Sequence, residues 1–192
     1  MSPKEMIEIR WHGRGGQGAV TSAEMLAQAA ISEGKFAQAF PSFGPERRGA
    51  PVQAYVRIGV SQPIRVRSSI TDPDVVVVLD PSLLSIVDVT SGLKAGGIVV
   101  INTIKDIRQI HEEFKIKAPI ATVGATKIAQ EVLGVPITNT TMIGAVLKSS
   151  GVVRIESLFE PLRQRFGRLG DRNIEAMKRA FAETVIEEHA GG

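Results

Sequence analysis

The sequence predicts an α/β fold, a three-layer α/β/α sandwich on a mixed sheet that includes a β-hairpin, and three observations carry that expectation. Ile7-Glu8-Ile9-Arg10 leads through a glycine-packed stretch into an amphipathic segment from Val20, the order of a strand, a tight turn and a helix. Three apolar runs, at residues 75–79, 98–101 and 120–123, suit strands covered on both faces. Segments of helical spacing lie between them, so strands and helices alternate along the chain.

In chain order, the first helix spans residues 20–33, with Val20, Ala23, Leu26, Ala27, Ala30 and Ile31 at helical spacing, and Gly34 ends it. Residues 36–40 read as a second strand. The segment 41–51 carries Pro41, Gly44, Pro45, Gly49 and Pro51, which excludes regular structure. Residues 52–58 and 63–68 alternate apolar and polar side chains around Gly59-Val60-Ser61-Gln62, a hairpin signature with Arg57, Arg65 and Arg67 on an exposed basic face. Residues 75–80 form the central strand, 83–90 a short helix, 98–102 a second buried strand, 104–114 a half-exposed helix and 120–123 a third buried strand. A helix at 125–133 stops at Gly134, with Pro136 beyond. Thr138-Asn139-Thr140 offers capping side chains to a helix at 141–150, closed by Gly151, and two further helices occupy 155–166 and 173–188. No repeat or low-complexity linker intervenes, so residues 1–192 are expected to form a single domain.

Composition narrows the chemistry. There are no cysteines, so the chain has no disulfide, no thiolate nucleophile and no thiolate-held metal or iron–sulfur cluster of its own. His12, His111 and His189 share no ligand spacing, and no metal is expected. A net charge of +3, with local clusters at Arg47-Arg48 and at Arg163, Arg165, Arg168 and Arg172, suits a small anion or a partner surface better than a nucleic acid. One Tyr and one Trp make a stacking platform for single strands implausible. The N-terminus lacks an apolar leader and no run is long enough to span a bilayer, so no membrane is expected and the location reads as cytoplasmic.

The chemical interest concentrates at Gly13-Arg14-Gly15-Gly16-Gln17-Gly18. Glycines let a backbone turn tightly and approach a ligand, and the first amides of the following helix are unpaired and partly positive. Such a corner seats phosphate or carboxylate. Gly13, Gly15 and Gly18 also match the spacing of dinucleotide folds. A nicotinamide site needs an acid at the end of the second strand, however, and here that strand ends at Phe40-Pro41-Ser42. Glu46, the first acid beyond, sits beside Arg47 and Arg48. A stand-alone NADP-binding Rossmann-like oxidoreductase therefore stands as an alternative, as does a purely structural scaffold. Asp80, at a strand's C-terminal end, lies where α/β folds place ligands, or else caps the next helix. No self-sufficient catalytic set is present.

Two segments read together resemble a known family. Gly13-Arg14-Gly15-Gly16-Gln17-Gly18-Ala19-Val20 and Ser42-Phe43-Gly44-Pro45-Glu46-Arg47-Arg48-Gly49-Ala50-Pro51-Val52 resemble the gamma subunit of 2-oxoacid:ferredoxin oxidoreductases, of the pyruvate or branched-chain type. Val75-Val76-Val77-Val78-Leu79-Asp80 and Pro136-Ile137-Thr138-Asn139-Thr140 are similar to the same family, and the likeness covers roughly residues 6–187. The resemblance implies oxidative decarboxylation of a 2-oxoacid to acyl-CoA, CO2 and reduced ferredoxin by a complex of alpha, beta, gamma and delta subunits. It places thiamine diphosphate and Mg on the alpha and beta subunits, and 4Fe–4S clusters on beta and delta. The gamma chain is then not catalytic alone. It implies that Gly13, Arg14, Gly15, Gly16, Gln17 and Gly18, with Arg47 and Arg48, hold coenzyme A phosphates or dock a neighbouring subunit.

Overall fold

The computed structural model describes residues 5–42 and 48–187. The chain runs through β1 (Met6–Arg14), α1 (Ala19–Ser32), β2 (Phe36–Pro41), β3 (Pro51–Gly59), β4 (Val75–Val78), β5 (Ile98–Asn102) and α2 (Ile107–Phe114). It continues through β6 (Ile120–Val123), α3 (Ala125–Leu133), α4 (Asn139–Ser150), α5 (Phe159–Phe166), α6 (Gly170–Glu183) and β7 (Val185–Ile186). The strands form one mixed sheet in the order β2-β3-β1-β4-β5-β6-β7. β1, β4, β5 and β6 pair in parallel, whereas β3 lies antiparallel to both β1 and β2.

Alternation along the strands divides the side chains between two layers. Ile9, Trp11, Val75, Val77, Val100 and Ala121 join the larger core with Leu26 of α1, Met142, Ile143 and Val146 of α4, Leu162 of α5 and Met177 of α6. Val76, Val78, Val99, Ile101 and Ile120 face the other way, onto Leu83, Val89, Ile110 of α2 and Ile116. All four valines of β4 are buried, because each face of the central strand is covered. This is the expected three-layer α/β/α arrangement.

Several elements differ from their sequence expectation. The antiparallel pair is β2 with β3, not residues 52–58 with 63–68. Both edges of β3 are taken, by β1 and β2, so residues 63–68 have no free edge to pair with and form no strand. Arg57 is correspondingly buried, its Nε 2.8 Å from Glu8 Oε1, while Arg65 and Arg67 stay exposed. The helix expected at 83–90 is a single 3-10 turn at Pro81–Ser85. α2 begins at Ile107 because Asp106 and Gln109 close a reciprocal cap ahead of it. The Thr138 side chain makes no cap bond to α4. The last helix ends at Glu183, and β7 then pairs antiparallel with β6. Among the described residues no helix is long and apolar enough to cross a membrane.

Candidate functional site

The parallel ladder of β1 and β4 sets His12 opposite Val78. Continued by two residues, the same register brings Arg14 level with Asp80, and the site is built there. Gly13 and Arg14 are the last residues of β1, in register with Val52 and Pro51 of β3. The chain then leaves the sheet. The Gln17 amide donates to the Arg14 carbonyl at 2.9 Å, and the Arg14 amide donates to Gln17 Oε1 at 2.7 Å. Gly15 donates to the Ala50 carbonyl at 2.9 Å and accepts from the Gly49 amide at 3.2 Å. A backbone bridge between Gly15 and Arg48 lays the start of the 48–50 segment against the turn.

Glycine is needed here for two different reasons. Gly16 has φ +93 with nothing within 4 Å of where a Cβ would be, so only its backbone conformation demands glycine. Gly18 has φ +82, and a Cβ there would lie 2.5 Å from Asn139 Nδ2. The turn thus packs on the start of α4, where Ser22 Oγ also donates to the Asn139 carbonyl at 3.0 Å.

The charged side chains of the corner are already engaged. Arg14 donates from Nε to Asp80 Oδ2 at 3.0 Å, from Nη1 to the Gly49 carbonyl at 3.0 Å and from Nη2 to Ser82 Oγ at 2.8 Å. Gln17 Nε2 donates to the same Asp80 oxygen at 3.0 Å. Asp80 Oδ1 accepts from the Ser82 amide at 3.0 Å and from Ser82 Oγ at 2.6 Å. Partial burial works to raise the Asp80 pKa, but the Ser82 and Gln17 hydrogen bonds and the Arg14 charge outweigh it, so the carboxyl lies below its ordinary value. It is ionised at neutral pH.

Two cavities flank this network, and Gly16 borders both. One, of about 330 Å³, is lined by Gln17, Asp80, Asn102, Thr126 and Thr138. The other, of about 430 Å³, is lined by Arg14, Gly18, Ala19, Val20, Thr21 and Pro41. The second faces the N-terminus of α1, whose first internal hydrogen bond is from the Ser22 amide to the Gly18 carbonyl. Among the described residues nothing accepts from the Gly16 or Gly18 amide. Unpaired amides and a helix dipole favour an anion in this cavity, and the Asp80 carboxylate disfavours one in its neighbour.

The expected site residues therefore divide. Gly15, Gly16, Gln17 and Gly18 form the turn, Gly13 belongs to the strand, and Arg14 braces the corner. Arg48 is exposed and makes no ion pair among the described residues. Arg47, with Phe43, Gly44, Pro45 and Glu46, lies outside the described residues. Asp80 both caps the following turn and takes Arg14. Ser82 and the Gly49 carbonyl, which sequence reasoning missed, complete the network. The constant offset of 66 residues between β1 and β4 partners is the signal that relates Arg14 to Asp80, and it exists only once the strand order is known.

His12 does not reach the corner. Its ring is buried on the face of β1 that Arg10 shares, and Nε2 accepts from Arg10 Nε at 3.1 Å. Burial, and then the Arg10 charge, lower its pKa to about 4. The neighbour of β1 on this side is the antiparallel β3, so β2, whose end would carry the ribose-binding acid of a dinucleotide fold, lies one position further out. Among the described residues no three His, Asp or Glu side chains converge as metal ligands.

Comparison with known proteins shows the family of the chain. Residues 8–183 match the family model described as pyruvate ferredoxin/flavodoxin oxidoreductase. The "Pyruvate/ketoisovalerate oxidoreductases common subunit gamma" of Thermococcus litoralis is 58% identical over 95% of this chain and 100% of its own length. The "Pyruvate synthase subunit PorC" of Methanothermobacter marburgensis is 50% identical over 97% of this chain and 100% of its own. The crystal structure of the pyruvate oxidoreductase subunit PORC from Thermotoga maritima superimposes with a TM-score of 0.86 at 38% identity, covering 96% of this chain and 100% of that one. This chain belongs to the pyruvate ferredoxin/flavodoxin oxidoreductase family.

Proposed function

We propose that this chain is the gamma subunit of a thiamine diphosphate-dependent pyruvate, or related 2-oxoacid, ferredoxin oxidoreductase of the cytoplasm. The observation that carries the reading is the full-length likeness to a subunit named as common to pyruvate and ketoisovalerate enzymes. The complex would cleave the bond between the carboxyl and keto carbons of the 2-oxoacid, releasing CO2. The remaining fragment gives up two electrons, which pass to ferredoxin, and the resulting acyl group bonds to the coenzyme A sulfur as the thiol proton is released. Thiamine diphosphate, when bound on the alpha and beta subunits, would supply the electron sink for that cleavage. With no cysteine, this chain leaves the iron–sulfur relay to the beta and delta subunits.

Residues 1–192 act as one gamma-type domain with two tasks, assembly and completion of the coenzyme A site. The amide-lined cavity suits the second, because it offers positive partial charge and steric access through glycine, and an exposed Arg48 is bridged to Gly15 of the same turn. Arg47 supplies a further cation. An arginine–phosphate contact shielded from water is worth on the order of 1.5–3 kcal/mol. In the assembled complex, Arg47→Ala with Arg48→Ala is expected to raise the apparent KM for coenzyme A while thiamine diphosphate occupancy holds. If the complex instead fails to assemble, the arginines serve a subunit interface.

A further inference from the structure

We infer that Asp80 is a positioning residue that, through Arg14 and Gln17, holds the glycine turn and the 48–50 segment in the geometry that receives coenzyme A. The inference rests on the reading that this corner receives coenzyme A at all. Four donors converge on the Asp80 carboxylate: Arg14 Nε, Gln17 Nε2, the Ser82 amide and Ser82 Oγ. Its acceptor capacity is then filled, and its orientation is fixed from several directions. Each donor secures a different piece of chain. Gln17, held by Nε2, gives its Oε1 to the Arg14 amide and so closes the turn. Arg14, held by Nε, keeps one guanidinium nitrogen for the Gly49 carbonyl. Through that contact the carboxylate reaches the segment that carries Arg48.

The network is not needed to hold the sheet together. The β1–β4 ladder pairs residues as far as His12 and Val78 and stops before Arg14 and Asp80. What the carboxylate fixes lies beyond that ladder, at the end of β1 and in the loop region where the amides of Gly16 and Gly18 stay unpaired. The cost is also informative. An ionised acid lining the cavity next to the α1 N-terminal one repels an anion arriving at this corner, so a neutral cap such as Asn or Thr would serve a bare turn better. Asp80 is suited to this place because it can grip a guanidinium by a charge-assisted bond while remaining nearly neutralised by it. Arg14, for its part, is spent on this bracing and leaves the ligand's charge to Arg48.

The test uses the reconstituted complex with Asp80→Asn in this subunit, compared with Arg47→Ala/Arg48→Ala and with the triple variant. Asp80→Asn is expected to raise the apparent KM for coenzyme A about three- to tenfold, on the order of one weakened contact, with kcat within about twofold. Hydrogen exchange at the Gly49 and Gly15 amides, which join the two segments, is expected to speed up. The triple variant should exceed the double arginine variant by clearly less than the full Asp80→Asn factor, since the part of its effect that Asp80 exerts through the segment carrying Arg48 is already lost there. Additive effects, or a KM that falls because a repelling charge has gone, would overturn the inference. So would an unchanged KM in Asp80→Asn alongside a raised one in the arginine variant, and that outcome leaves the coenzyme A reading standing. An unchanged KM in all three removes the reading itself. If Asp80→Asn yields too little subunit, Arg14→Lys replaces it, because an ammonium reaches Asp80 without spanning Ser82 and Gly49. The same rise in KM is then expected, and its absence overturns the proposal.

Discussion

Arg10 and Arg14 stand on the same face of the same strand, four residues apart, and they are put to opposite uses. Arg10 is sealed. Its donors go to the carbonyls of Ile70, Thr71, Val89 and Ser91 and to the His12 ring, and it is 6% exposed. Arg14 has a side chain 30% exposed and is held by one carboxylate, one hydroxyl and one carbonyl, beside a cavity. The first arginine ties two loops across the sheet, whereas the second orders a corner that faces outward. A residue type and its strand position do not decide which role is taken. What decides it is whether chain returns to cover the side chain.

The largest effect is expected from breaking the sealed half of this pair. Arg10→Met leaves four carbonyls, those of buried Ile70 and Val89 and of exposed Thr71 and Ser91, and a buried imidazole without their donor, and is expected to lower stability by roughly 3–5 kcal/mol. Chemical denaturation of the isolated subunit measures this. A loss below about 1 kcal/mol would mean that water reaches those carbonyls and that the layer is not sealed.

His12 sharpens the same contrast through pH. The folded ring stays neutral down to about pH 4, while an unfolded histidine titrates near 6.5. Between those values the unfolded chain binds the additional proton, so stability falls as pH drops from 6.5 to 4, by about 3 kcal/mol. Below the folded value this group contributes no further loss. His111 works in another window: the Ile116 carbonyl, then the Glu187 carboxylate, raise its pKa, so its contribution is complete below 6.5 and is lost as pH rises through the folded value. His12→Gln keeps an acceptor for Arg10 and is expected to flatten the slope between pH 4 and 6.5, measured by denaturation across that range. An unchanged slope would place the titration elsewhere.

At the corner the glycines separate two kinds of strictness. Gly18→Ala combines a left-handed backbone with overlap on Asn139, for an expected loss of about 2–3 kcal/mol. Gly16→Ala adds only the backbone cost, about 1 kcal/mol, because the space beside it is open. Thermal unfolding of the two variants gives the comparison. Equal losses would show that α4 yields at Asn139.

The parts legible in sequence follow the same division. Buried strands at 75–78, 98–102 and 120–123 were readable because a strand covered on both faces must be apolar at every position, and α1 because its stripe and Gly34 are local signals. The glycine corner was readable as a tight strand-to-helix turn for the same local reason. The pairing of β3 with β2 was not, since alternation in residues 63–68 says nothing about whether a sheet edge is free to receive them. Nor was the engagement of Arg14. Its partners Asp80, Ser82 and Gly49 are 66, 68 and 35 residues away. Only the sheet order brings them together.

The smallest effect belongs to the outward-facing arginine, and its smallness tests the comparison from the other side. Arg14→Ala removes an ion pair whose members are 30% and 19% exposed. Water and counter-ions screen such a pair, and water can reach the Gly49 carbonyl and the Ser82 hydroxyl once the guanidinium is gone. The expected loss of stability is under about 1 kcal/mol. That is several-fold below the expected cost of losing Arg10, although Arg14 makes comparable hydrogen bonds. Differential scanning calorimetry of the single variants, with the double variant for additivity, measures the ratio. If Arg14→Ala costs as much as Arg10→Met, the corner is part of the folding core, and its exposure is no sign of a site.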